Sequence, residues 1–493
     1  MGYGSSWGPA TGPESGAVAH RRKTPPPAGM TASRSGNFSP SAAAGFSLDN
    51  RVSIQNMDAS RKKHDGAQSS EEPTEQLLAT YGAALGRYTG EGAMTFAGGA
   101  TAPCEFEAGQ LGDGSVLLLC SFPISAITHQ PLSPIGFSGV STDDTRILAA
   151  GDFFETNYLP DLSSGQPGLY AAFHVRELHA IRSTGAVRHV RFGVTNFDFV
   201  GTNAKDGALV LPLALDTPAG PVSLHVAPRP DMHRLTRRLK TLRSVEVTCE
   251  IVVESVSSME QIEQLRQTCD DLVYVLSVAR GTKIQWIYMD AYDECGARLS
   301  RLHRDAVTKP YSPLPPLDPR LEHRDATRRF IEGGYRAFVS TTSSHRLTRA
   351  MIDSYVDARL QTDYLEMRGV KTAIVIEMLK WISAGKGAKH PNLKASLAKL
   401  SKSIGLRAKR RALDALEASR NHLVHEGYFY CQVTPEPRKY AGLSSPWREY
   451  TFLVNFVDVL FLKLLGYNDS YLDWHGSDTP TLRSSVTLDH WTA

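Results

Sequence analysis

The chain has 493 residues, of which 41% are hydrophobic and 21% charged, with a formal net charge of +3. That length allows more than one core and makes two domains the starting expectation. The composition is that of a soluble globular protein, and so small a net charge selects no partner by itself. Cys104, Cys120, Cys249, Cys269, Cys295 and Cys431 are scattered with no C-x-x-C pair, which reads as reduced structural thiols in a cytoplasmic protein. No apolar run follows Arg21, Arg22 and Lys23, so no secretory signal is expected. The longest apolar run, from Tyr450, is interrupted by Asn455, Asp458 and Lys463, and reads as a buried helix with no role in a membrane.

In chain order, residues 1–74 are rich in Gly, Ser, Pro and Ala without periodicity, and read as a disordered leader. Residues 75–322 read as a β-rich domain. The runs "GSVLLLCSF", "GLYAAFHV", "HVRFGVTNFDFVG", "ALVLPLAL", "VSLHVAP", "VEVTCEIVVES" and "KIQWIYMDAY" are β-branched or aromatic and bounded by turn residues. One helix interrupts them. It starts at a Ser258-x-x-Gln261 box, carries Ile262, Leu265, Cys269, Leu272 and Leu276 on one face, and stops at Gly281. The proline-rich "KPYSPLPPLDPR" cannot hold regular structure and marks the domain boundary.

From 323 to 470 the pattern becomes helical. Five stretches are predicted: "HRLTRAMIDSYVDARLQ", "DYLEMRGVKTAIVIEMLKWISAG", "NLKASLAKLSKSIG", "RAKRRALDALEASRNHLVHEG" and Trp447 to Gly466. Residues 471–493 form a tail. The fold class is therefore α+β, a β-rich N-terminal domain followed by an all-α bundle, and no repeat points to a solenoid. Trp286 and Trp381 both lie on apolar faces and are expected in the core.

There is no phosphate-binding glycine loop, no H-E-x-x-H, no G-x-S-x-G elbow and no cysteine–histidine set at zinc spacing, so no metal or cofactor is expected. An arginine and a histidine can together stabilise a phosphorane-like charge and move a proton, which is the chemistry of metal-independent RNA cleavage. Arg420 and His425 in "EASRNHLVHEGYF" offer such a pair. So do Arg298 with His303, Arg182 with His189, and Arg483 with His490, so spacing alone does not choose. Arg298 and His303 lie in a strand-like run, where an odd separation puts them on opposite faces. The other two pairs flank a turn or sit in the tail. Only Arg420 and His425 share a strong helix, in which Leu413, Leu416, Leu423 and Val424 follow the apolar spacing and Gly427 supplies the stop.

Three details favour that helix. Asn421 lies four residues from His425 and can orient its imidazole or hold a phosphate. His425 falls in the last turn, where free carbonyls attract positive charge. Between Glu377 and Asp414 no acid interrupts Lys402, Lys409, Arg410, Arg411 and their basic neighbours, a field suited to an RNA backbone. The blander alternative is a solvated basic face, with Arg420 paired to Glu417 or Glu426. Positions five apart also differ by about 140° around a helix, so one helix alone makes no compact site. Two copies meeting across a twofold axis would line one groove with two arginines and two histidines.

This arrangement, Arg-Asn-x-x-x-His in "RNHLVHEG" near a helix end of an all-α domain that follows a β-rich one, resembles the HEPN superfamily and, in layout, ApeA-type bacterial anti-phage proteins. The resemblance covers roughly residues 80 to 467. It implies a homodimer formed through the helical domain and a metal-independent endoribonuclease of abortive-infection defence, in which the RNA 2′-hydroxyl attacks and leaves a cyclic phosphate. Arg420 would hold the scissile phosphate, His425 would act as acid and base, and Asn421 would orient. Lys402, Lys409, Arg410 and Arg411 would bind the RNA, with tRNA one candidate. The N-terminal domain would sense a phage-derived trigger or restrain the nuclease. The rival expectation is a non-catalytic module that binds RNA or nucleotide and dimerises.

Overall fold

The computed structural model of the protein describes residues 84–488, apart from 98, 124–133, 151–152, 162–167, 206, 319–323, 341–344, 385–388, 390, 434–439, 441–442 and 476–478. The expected leader lies outside the described residues. All described residues belong to one compact unit.

The first half is β throughout: β1 (Ala84–Phe96), β2 (Thr101–Leu111), β3 (Val116–Pro123), β4 (Pro134–Ser141), β5 (Arg146–Ala150), β6 (Phe153–Asp161), β7 (Gly168–Val175) and β8 (Glu177–Ile181). It continues through β9 (His189–Thr195), β10 (Asn203–Lys205), β11 (Ala208–Thr217), β12 (Gly220–Pro228), β13 (Val247–Glu254), β14 (Trp286–Tyr292) and β15 (Arg298–Arg304). All join one antiparallel sheet, in the order β10-β11-β12-β13-β9-β14-β15-β8-β5-β4-β1-β2-β3-β7-β6. Every run predicted as a strand contributes to this sheet, although "HVRFGVTNFDFVG" leaves it after Thr195. Of the strands missed by sequence reading, β1 with "GRYTGEG" is glycine-rich for a steric reason: a Cβ on Gly90 would lie 2.1 Å from the carbonyl oxygen of Val140 on β4.

The sheet curls on itself. Gln110 of β2 donates to the carbonyls of Ile287 and Arg304 at 2.7 and 2.9 Å, although β2 and β15 are five places apart in strand order. His303 stands between Gln110 Oε1 and the Tyr88 hydroxyl, 3.1 Å from each, and is fully buried. Burial, with Arg301 and Arg298 nearby, holds its imidazole well below the usual histidine range, so it is neutral. Inside the curl pack Met94, Phe96, Phe106, Phe122, Phe137 and Phe173.

The far part of the sheet packs on helices. α1 spans Met232–Leu242, and α2, Met259–Arg280, is capped by Ser258, whose side chain accepts from Gln261 N at 3.1 Å, and ends at left-handed Gly281. Next come α3 (Arg324–Ser340), α4 (His345–Asp357), α5 (Leu365–Ala384), α6 (Leu393–Ser403), α7 (Arg410–Glu426), α8 (Tyr430–Val433) and α9 (Pro446–Leu464). All five predicted helices are present; α3, with Gly333 and Gly334 at its centre, was not predicted. A single core runs from Phe192 and Trp286 through Leu272 and Val275 of α2 to Phe338, Leu416 and Phe456. The expected tail begins as a small hairpin, Tyr471–Asp473 with Thr481–Arg483, and buries Tyr471, Trp474 and Leu488.

The described part of the proline-rich stretch, 309–318, holds no regular structure, yet Tyr311, Leu314 and Leu317 are buried. Prolines supply carbonyls without N–H groups, so donors must come from elsewhere. Arg359 donates to Leu314 O, Trp474 Nε1 to Pro315 O at 2.9 Å, Leu472 N to Pro316 O at 2.7 Å, and Arg280 to Leu317 O at 3.2 Å. The boundary segment is a pinned strap between sheet and helices.

Candidate functional site

α7 forms because Ala412, Leu413, Ala415, Leu416, Ser419 and Leu423 recur at helical spacing and bury one face against α5 and α6. Close approach to α5 depends on Gly369, whose added Cβ would lie 2.8 Å from Phe429 and 2.9 Å from Leu423. The helix stops as expected: Gly427 takes φ 77 and its N–H reaches the carbonyls of His422 and Leu423. Beyond the stop, Glu449 of α9, fully buried, accepts from the backbone N–H groups of Tyr430 and Cys431 at 2.8 and 3.1 Å and from the Ser419 hydroxyl. One carboxylate thus fixes the end of α7, the start of α8 and α9 together. Burial and this carboxylate push the Cys431 thiol up to about 12.

Arg420 points toward α5. Its Nη2 lies 2.6 Å from Glu377 Oε1, and its Nη1 donates to Asn421 Oδ1 at 2.8 Å. The guanidinium is therefore braced on two sides and only partly exposed. Asn421 was expected to orient His425; its amide oxygen instead holds the arginine. Glu417 and Glu426 were the acids expected beside Arg420, but Glu417 pairs with Lys394 at 3.0 Å and Glu426 with His422 Nδ1 at 3.0 Å. His422 also meets Tyr430 edge-on. Sequence reading missed Glu377 as a partner because it lies on another helix. Glu449 gave no local signal either.

His425 is exposed and has no hydrogen-bond, ionic or ring partner among the described residues. Arg420 faces α5 while His425 faces outward, as five residues on a helix require, so one chain does not bring them into a compact pair.

No protein family, curated protein or solved structure matches the chain. The site has to be read from its own chemistry.

Around it, α5 presents an unexpected surface. Trp381, placed in the core by its sequence context, is 45% exposed, and with Ile374 at 44% and Met367 at 50% it forms a stripe of seven-residue spacing. Val424, also expected inside, is 40% exposed, next to Tyr428 at 55%. Tertiary packing covers one face of α5 and leaves this one to solvent; local periodicity could not distinguish them because α5 spreads its apolar residues and its charges, Glu366, Arg368, Lys371, Glu377 and Lys380, over all its sides. Of the expected RNA contacts, Lys402, Lys409, Arg410 and Arg411 are all exposed, while Lys394 is taken by Asp414 and Glu417 of α7. The competing pairs are set elsewhere: Arg298 lies on β15 and reaches Asp290 at 3.9 Å, while His303 is inside the curl. Among the described residues no helix is long and apolar enough to cross a membrane, and no three His, Cys, Asp or Glu side chains cluster as metal ligands.

Proposed function

We propose that the protein is a metal-independent endoribonuclease of the HEPN kind, acting in abortive-infection defence against phage, with a composite site made when two copies meet along α5 and the end of α7. The observation that carries this reading is an exposed, unpartnered imidazole, His425, on the same helix end as an arginine braced by Glu377 and Asn421. A braced guanidinium loses little freedom on binding a phosphate, and a free imidazole can exchange protons. The exposed stripe of Met367, Ile374 and Trp381 supports the pairing, since burying it against a second copy removes apolar surface from water.

In the step itself one His425 takes the proton of the ribose 2′-hydroxyl. The freed oxygen attacks phosphorus, Arg420 carries the growing charge, and His425 of the second copy protonates the departing 5′-oxygen, leaving a 2′,3′-cyclic phosphate. The β-rich half would restrain or trigger the site. Purified protein in EDTA should degrade RNA, and Arg420→Ala and His425→Ala should lower the rate by at least about 100-fold. Unchanged RNA loss in both variants would falsify the reading.

The Arg420–Glu377 pair favours a second reading, a non-catalytic RNA- or nucleotide-binding dimer, because the arginine already has an anionic partner. RNA binding without cleavage, in phage-infected extract as in buffer, would select it.

A further inference from the structure

At the turn between α6 and α7, Ala398, Lys402, Gly405, Leu406, Arg407 and Ala408 line an open cleft of about 550 Å³. Lys409 and Arg410 follow directly in the chain. Lys402, Arg407, Lys409 and Arg410 are all exposed, and none has an ion pair or side-chain hydrogen bond among the described residues. That sets them apart. Lys371, Lys380 and Lys394, on the same pair of helices as the turn or beside it, each hold a carboxylate. The nearest acids along the chain, Asp414 and Glu417, are already taken by Lys394.

Four positive charges without a counter-charge repel one another, and the fold sets two of them, Lys402 and Arg407, in one cleft with the other two directly after it in the chain. The helix that starts there makes the field stronger: α7 has Lys409 as its N-cap, with no side-chain cap and no acid in its first turn. Basic side chains beside uncapped N–H groups are unfavourable unless an anion completes the site.

We propose that this cleft holds a backbone phosphate of RNA, as an anchor separate from the place of cleavage. The inference rests on the ribonuclease reading, in that the RNA held here is the one His425 and Arg420 would act on at the other end of the same helix. Rigid α7 sets the separation. From Lys409 it is about 16 Å to Arg420 and about 24 Å to His425, at 1.5 Å per residue. At roughly 3.4 Å per stacked nucleotide this places the anchored phosphate about five to seven nucleotides from the scissile one. The favoured substrate is therefore a strand long enough to span both ends of α7.

The test is the salt dependence of binding. Affinity of a 20-nucleotide single-stranded RNA is measured between 50 and 200 mM salt for the full chain, in a His425→Ala background so that the RNA survives, with and without Lys402→Gln and Arg407→Gln. Both side chains are exposed, so folding should be unaffected, which circular dichroism checks. Each lost phosphate contact lowers the slope of log K against log salt by about 0.7, so the double variant should lose about 7-fold less affinity across that range than its parent. A slope equal to the parent's overturns the anchor and leaves the ribonuclease reading intact. Conversely, a reduced slope in protein that never cleaves RNA supports the anchor while the catalytic reading fails. Inorganic phosphate at millimolar concentration is expected to compete only weakly; full competition by it would mean a small-anion site and overturn the proposal.

Discussion

Replacing Arg359 by methionine tests whether the strap fastens sheet to helices. Both Arg359 and Asp458 have fully buried side chains, and they pair directly. Arg359 also donates to Leu314 O, and Tyr355 donates to Asp458 Oδ1 at 2.6 Å. Methionine fills similar volume but leaves a buried carboxylate with one hydroxyl and a strap carbonyl with no donor. Removing one partner of a buried pair costs about 3–5 kcal/mol, whereas replacing both by apolar groups is close to neutral. Arg359→Met should therefore lose about 3–5 kcal/mol in urea unfolding followed by tryptophan fluorescence, and adding Asp458→Leu should recover most of it. Burial already raises the Asp458 carboxyl, and losing Arg359 raises it further. Folded protein then keeps a proton that unfolded protein releases near pH 3.9, so the deficit should widen as pH rises above about 4. A loss below about 1 kcal/mol, or no recovery in the double variant, would refute the reasoning.

Three further outcomes are expected. Ile374→Asp on the exposed α5 stripe should turn a micromolar dimer into a monomer in sedimentation while changing stability by no more than about 0.5 kcal/mol; a wild-type monomer would remove the composite site. His303 is depressed by burial, so below its unfolded value of about 6.5 the unfolded chain binds a proton that the folded one refuses. Stability should fall with pH by up to about 1.4 kcal/mol per unit between 6.5 and the lower folded value, and His303→Gln should flatten that slope. Gly90→Ala forces a methyl group onto the Val140 carbonyl and should cost about 1–3 kcal/mol, read by thermal unfolding.

Sequence legibility followed the physics of each element. Strands such as β13 and β14 announce themselves by β-branched and aromatic runs, whereas β1 and β4 are set by close backbone approach, for which small residues carry no positive signal. α2 was readable to its caps because Ser258 and Gly281 act locally. α7 was likewise readable, with its stop at Gly427, its arginine and its histidine. What surrounds Arg420 was not: Glu377 is distant in sequence, and Asn421 turned to the arginine because the arginine, anchored on α5, lies within its reach. Trp381 shows the same limit from the other side, since a helix whose apolar residues are spread over all its sides does not say which face its neighbours will cover.

α2 lies in the middle of the shared core, with Leu272, Val275, Leu276, Val278 and Ala279 almost wholly out of contact with water. It comes before the strap in the chain but packs against helices that come after it. A cut at the prolines would thus leave the helical half without part of its own interior. The two halves are not exchangeable cassettes: because α2 serves the interior of both, neither could be replaced at the strap without opening the core of the other.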